Sequence, residues 1–194
     1  ELHDSLVNHT YRHGAYESFF INDPKRRHIH KATVRDRLLH HAVYRTLYPF
    51  FDKTFISDSY SCRNEKGTHK AIDRFKAIAN QVSKNNTKTC WILKCDIRKF
   101  FASIDHEVLL SILKEYIPDH DIIWLLQNVI ESFHTMSVAS NGNHPHPFLR
   151  QAQDRLLERR GCGLPLGNLT SQLFANVYMN RFDQWVKHKL KVKH

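Results

Sequence analysis

Apolar residues along this chain fall into blocks whose spacing switches between a period of two and a period of three to four. Ser18-Phe19-Phe20-Ile21 and Arg27-His28-Ile29-His30 flank Asn22-Asp23-Pro24-Lys25, two extended runs joined by turn-forming residues. That pattern predicts a β-hairpin. Leu38, Leu39, Ala42, Val43 and Leu47 then share one helical face, and Pro49 should end the helix because it has no N–H to donate. Residues 51–67 show no period. Thr68 is expected to cap a helix burying Ala71, Ile72, Phe75, Ile78, Ala79 and Val82. After a polar loop, Cys90 to Ile97 puts Trp91, Leu93 and Cys95 on one side and Ile92, Lys94 and Asp96 on the other, which predicts a strand.

Asp105 should cap a helix carrying Val108, Leu109, Ile112 and Leu113, which Pro118 separates from a second helix over 119–133. Residues 136–150 are rich in Ser, Asn, Gly, His and Pro and read as an insertion or hairpin; 151–160 read as a charged helix. Asn168 should cap a final helix with Leu169, Leu173, Val177, Phe182, Trp185 and Val186 on its apolar face. The pattern predicts an α+β fold, helix-rich with a short antiparallel sheet.

The 194 residues are 41% hydrophobic and 11% aromatic, enough for a sizeable core. A formal net charge of +10 favours a polyanionic partner, since Lys and Arg set against phosphates release counterions. No apolar run is long enough for a bilayer, and no signal segment opens the chain, so no membrane association is expected. Cys62, Cys90, Cys95 and Cys162 form no C-x-x-C pair and no zinc spacing. They read as reduced thiols, which places the protein in the cytoplasm. The histidine pairs His28/His30, His40/His41 and His144/His146 read as structural rather than metal-binding.

Four segments carry candidate chemistry. Asp96 ends the apolar strand and precedes Arg98, Lys99, Phe100 and Phe101. Two-metal phosphoryl transfer needs carboxylates fixed on a rigid element, and the carbonyl of Ile97 could add a ligand. Alone, such an acid is most often a surface residue. Gly163-Leu-Pro-Leu-Gly167-Asn168-Leu-Thr-Ser171-Gln172 opens the last helix, where glycines permit close backbone approach and free N–H groups favour phosphates or base edges. Arg63 and Lys66 flank a turn ahead of the Thr68 helix, and a guanidinium there suits a triphosphate. Lys25-Arg26-Arg27, with Lys31, Arg35 and Arg37 behind, can track a nucleic-acid backbone.

In this order the segments resemble reverse transcriptase motifs. Arg35 to Ala42 resembles motif 1, Ser59 to Ala71 motif 2, Lys94 to Phe101 motif A and Gly163 to Gln172 motif B. The resemblance implies the fingers and partial palm of a right-hand polymerase. Residues 1–89 would form the fingers, and 90–194 a partial palm that stops before the Tyr-x-Asp-Asp hairpin and thumb. Leu166, where group II intron enzymes carry Gln, and Gln172, where they carry Pro, resemble the diversity-generating retroelement type, which copies template RNA into cDNA with low fidelity at adenines. Group II intron or retron enzymes are the alternative, and a non-catalytic RNA-binding module derived from a polymerase is another.

The resemblance further implies roles. Asp96 and the Ile97 carbonyl would hold Mg²⁺. Arg27 and Arg63 would hold the dNTP triphosphate, Phe101 would be the steric gate against ribonucleotides, and Leu166 and Gly167 would meet the nascent pair. Arg35, Arg37, Lys66, Asn168, Ser171 and Gln172 would face template and primer. The implied partners are template RNA, a DNA primer or cDNA, dNTP and a small basic accessory protein. With one motif carboxylate before residue 194, these residues alone are expected not to extend a primer.

Overall fold

The computed structural model describes residues 1–134 and 161–191. The expected insertion over 136–150 and the charged helix over 151–160 lie outside the described residues. Helix α1 (Leu2–Val7) leads through a loop to strands β1 (Glu17–Asn22) and β2 (Arg26–Lys31). The two strands pair antiparallel, with Phe20 opposite His28 and Glu17 opposite Lys31. This is the hairpin the turn chemistry predicts.

Helix α2 (Val34–Phe51) starts at Thr33, whose hydroxyl accepts from the Asp36 N–H at 3.2 Å. It does not stop at Pro49. A proline in the last turn removes a single intrahelical bond, while buried Leu47, Tyr48 and Phe51 keep that turn against the core. A 3₁₀ turn (Asp52–Thr54) follows. Helix α3 spans Thr68–Val82 and starts from Gly67, at φ 96°, rather than from a Thr68 cap. Helices α4 (Phe100–Ser103), α5 (His106–Tyr116) and α6 (His120–Glu131) lead to α7 (Leu169–Gln184), which runs into a π turn (Trp185–Lys189).

The core forms where α2, α5, α6 and α7 meet. Leu39, Val43 and Phe51 of α2 share it with Leu109 and Leu113 of α5, Leu126 and Ile130 of α6, and Leu173, Phe174 and Val177 of α7. The 3.6-residue stripes specify these faces, and the short loop between α5 and α6 keeps those helices neighbours.

Three further expectations fail. Residues 90–97 form no strand. Alternation favours an extended backbone, but a strand also needs an edge to pair with, and none lies alongside among the described residues. Trp91 stays 94% exposed and Leu93 88%. The apolar face of α3 is likewise not buried: Ile72, Phe75 and Val82 are exposed. Amphipathicity fixes which face would be covered, not whether a neighbour covers it. At the end of α7, Phe182 and Trp185 are exposed for the same reason.

Candidate functional site

The segment ahead of α7 is stitched to two other parts of the fold. On one side, the Gly163 N–H donates to the Ile104 carbonyl and the Leu164 N–H to the Phe101 carbonyl, both at 2.8 Å. His106 is 2% exposed and its Nε2 donates to the Gly163 carbonyl at 2.7 Å. Burial lowers the pKa of this imidazole, and donation through Nε2 leaves Nδ1 as a buried acceptor. On the other side, the His30 N–H donates to the Leu166 carbonyl at 2.8 Å, and the Asn168 amide donates to the His30 carbonyl at 2.8 Å. The segment ahead of α7 is thus bonded to α4 on one side, through Leu164 and Phe101, and to strand β2 on the other, which sets Leu166 and Gly167 beside the hairpin that carries Arg27.

Gly167 is required at this junction. Its φ is 103°, and a Cβ there would sit 2.7 Å from Cγ2 of Ile29. Gly167→Ala should cost about 1–3 kcal/mol from left-handed strain and overpacking. Thermal melts would read this as a fall of about 2–4 °C per kcal/mol; an unchanged midpoint would show that β2 is not held against the turn.

Beneath the turn runs a buried chain of polar side chains. The Gly14 carbonyl can only accept, so His13 Nδ1, 2.6 Å away, carries a hydrogen. His13 Nε2 lies 3.0 Å from His40 Nε2, and His40 Nδ1 lies 2.7 Å from the Thr170 hydroxyl, so the three side chains form one hydrogen-bonded chain. His40 is 2% exposed, and burial followed by the nearby His13 lowers its pKa to about 4. The chain joins α2 to the first turn of α7. Sequence reading missed it: His40 was visible only as half of a histidine pair, and the partners come from three separated segments.

Asp36 anchors the same region. Its fully buried carboxylate accepts from Tyr11 Oη at 2.9 Å, the Gly14 N–H at 3.0 Å and Thr33 Oγ1 at 2.6 Å, as well as from the Arg35 guanidinium. Burial raises its pKa, but those hydrogen bonds and the nearby His13 outweigh it and leave the value at about 2.

Several expected contact residues make bonds within the fold. Arg63 is drawn into its own loop: Nε donates to Asp52 at 2.7 Å, Nη1 to the Ile56 and Ser59 carbonyls, and Nη2 to the Asp52 carbonyl. Its side chain is 7% exposed, so it folds the motif 2 turn and does not offer its donors to a triphosphate in this arrangement. Lys66 Nζ donates to the Ser57 carbonyl, and Arg35 also donates to the Arg12 carbonyl. Asn168 spends its amide on β2, and Ser171 is 2% exposed. Gln172 is half-buried, while Arg27 and Arg37 are exposed.

Asp96 and Ile97 lie exposed on the unpaired segment, so the carboxylate is not fixed on a strand as expected. No group of three His, Cys, Asp or Glu side chains is placed to hold a metal ion among the described residues. One carboxylate and one carbonyl do not make a two-ion magnesium site. No helix among the described residues is long and apolar enough to cross a membrane.

Comparison with known proteins adds independent information. The family model for "Reverse transcriptase (RNA-dependent DNA polymerase)" matches residues 22–194. The chain is 24% identical over 190 residues to "Protein YkfC" of Escherichia coli (strain K12), covering 97% of this chain and 45% of that protein. It is 24% identical over 192 residues to "Group II intron-encoded protein LtrA" of Lactococcus lactis subsp. cremoris, covering 97% of this chain and 28% of that protein. A third relative, "Putative COX1/OXI3 intron 1 protein" of Saccharomyces cerevisiae, is 25% identical over 153 residues, or 79% of this chain and 16% of its own length. The chain spans less than half the length of these relatives.

Proposed function

The chain belongs to the reverse transcriptase family, and on that premise we propose that it is the fingers and part of the palm of an RNA-directed DNA polymerase. The observation that carries this is that the Arg27 hairpin and the helix of Phe101 are both bonded to the segment of the Leu166–Gly167 turn, by backbone hydrogen bonds and the Asn168 amide. A nucleotide site needs a basic arm, a small close-approach turn and a bulky ring within one rigid frame. In this reading 1–89 act as fingers and 90–194 as part of the palm. The parent reaction is attack of a primer 3′-hydroxyl on the α-phosphate of a dNTP, with release of pyrophosphate.

Roles follow from what each group has free. Arg27 is exposed and can meet the triphosphate; Phe101 serves as the steric gate; Leu166 and Gly167 lie against the nascent base pair. Arg37 and Gln172 can face the template or primer. Arg63, Asn168 and Ser171 support these residues from behind. Divalent metal serves the family's chemistry, and Asp96 with the Ile97 carbonyl would contribute to holding it, with further ligands from outside the described residues.

Leu166 and Gln172 favour the diversity-generating type, because an aliphatic side chain cannot make the polar contact a Gln would make with the nascent pair. The intron-encoded relatives favour the group II intron type as strongly. One experiment separates these levels: RNA-templated primer extension by the full-length protein, comparing wild type, Asp96→Asn and Leu166→Gln. Extension that disappears in Asp96→Asn is expected; extension unaffected by it would refute the polymerase site. Leu166→Gln should lower misincorporation opposite template adenines, and an unchanged error rate would remove the diversity-generating reading while leaving the polymerase intact.

A further inference from the structure

The face of the hairpin turned away from the Leu166–Asn168 turn carries a continuous stack. Ile29 approaches Gly167, so by strand alternation Phe19, Ile21, Arg27 and Lys31 share the inner side. The outer side holds Phe20, Arg26, His28 and His30. There the Arg26 guanidinium lies 4.1 Å from the Phe20 ring centroid. Phe20 stacks on His28 at 4.4 Å and 11° between planes, and His28 meets His30 at 4.3 Å. His30 packs on Phe133 at 4.6 Å, and Phe133 on Tyr16, whose hydroxyl is hydrogen-bonded to Ser132 at 2.9 Å. The inner end of the stack is therefore anchored to the end of α6, and its outer end is exposed: Phe20 is 53% exposed, and Arg26 and His28 are exposed too.

We infer that Arg26, held over the Phe20 ring of the Phe20–His28 stack, is a stacking site for an unpaired base of single-stranded nucleic acid, separate from the nucleotide side of the hairpin. Phe20 has Arg26 on one face and His28 on the other, so the surface open to a ligand is the outer face of the guanidinium. Bases stack on guanidinium planes as they do on aromatic rings, and pre-stacking on Phe20 fixes the plane in advance. No carboxylate pairs with Arg26 among the described residues, and its donors remain available to a neighbouring phosphate. Lys25, Arg27 and Lys31 outweigh Glu17 and Asp23 on the hairpin, which gives the site the sign a polyanion needs. A duplex offers no base face, so the site selects single strands. The inference rests on the polymerase reading, in which the single strand is the template RNA before it is copied.

The test is binding of the 194-residue chain to a labelled oligoadenylate and to an RNA duplex of equal charge, at matched salt. Arg26→Lys keeps the charge and loses the plane; Phe20→Leu removes the ring beneath it. Both positions are exposed, so both variants should fold, which circular dichroism would check. Each should weaken single-strand binding by about fivefold or more and leave duplex binding unchanged. Wild-type single-strand affinity in both Arg26→Lys and Phe20→Leu would overturn the site, as would an equal loss toward both ligands, which is a charge effect. Either result leaves the polymerase reading standing if the wild type still binds the duplex. Failure of the wild type to bind either nucleic acid would count against both.

Discussion

Between about pH 6.5 and pH 4 the fold should lose about 3 kcal/mol of stability through the single buried imidazole of His40. The sign follows from where the proton binds. The unfolded side chain titrates near 6.5 and the folded one near 4, so over this window the unfolded state takes up a proton that the native state refuses. Above 6.5 both forms are neutral and the group contributes nothing; below 4 both are charged and the loss is complete. The refusal is structural. His40 lies between Thr170 and His13, with Asp36 and His41 nearby, and a charge there would be stripped of water and placed beside a second imidazole. The countervailing attraction of Asp36 is the smaller effect. Burial lowers the pKa values of His30 and His106 as well, so the raw slope belongs to several groups. The difference between wild type and His40→Gln isolates one of them. Urea denaturation at pH 7 and pH 4 should show that difference shrinking by about 3 kcal/mol, and a constant difference would remove His40 as the source.

Replacing Asp36 should do more damage than replacing any exposed acid in the chain. Asp36→Ala strips the Tyr11 hydroxyl, the Gly14 N–H and the Thr33 hydroxyl of their acceptor while the surrounding groups stay buried. An expected loss of about 3 kcal/mol or more follows, and denaturant midpoints would measure it; a loss below about 1 kcal/mol would mean water replaces the carboxylate. The wild-type residue adds its own acid sensitivity. Its folded pKa near 2 lies below the unfolded 3.8, so its contribution of about 2 kcal/mol is complete above 3.8 and is lost as the pH falls through 2. Histidine and aspartate effects thus act in successive windows, His40 first and Asp36 only in stronger acid. Because Asp36 also fixes the segment in which His13 lies, the two substitutions should not be additive.

The hairpin shows how far local chemistry reaches. Asn22-Asp23-Pro24 between two extended runs was sufficient to locate β1 and β2, because a turn and its flanking strands satisfy each other's hydrogen bonds within a few residues. The helices were legible for the same reason, down to the Asp105 side chain that accepts from the Val108 N–H at the start of α5. Motif order was legible too, and residues 22–194 match the family that this order resembles. Arg63 marks where such reading stops: its type and position suggest a phosphate ligand, while its donors are consumed by carbonyls at Asp52, Ile56 and Ser59 that no spacing rule predicts.

What the chain's own order of residues determined is each element's period, its ends and the side it would bury, since these depend on neighbours within a turn or a strand pair. Tertiary structure alone decided which faces found a partner: among the described residues, 90–97 and the apolar side of α3 did not, although their patterns are as regular as those that did. It also decided that His13, His40 and Thr170 form one buried polar chain, and that β2 closes over the turn at Gly167. Those contacts join segments far apart in sequence, and their energies depend on desolvation and shape at the meeting point, quantities that no single segment contains.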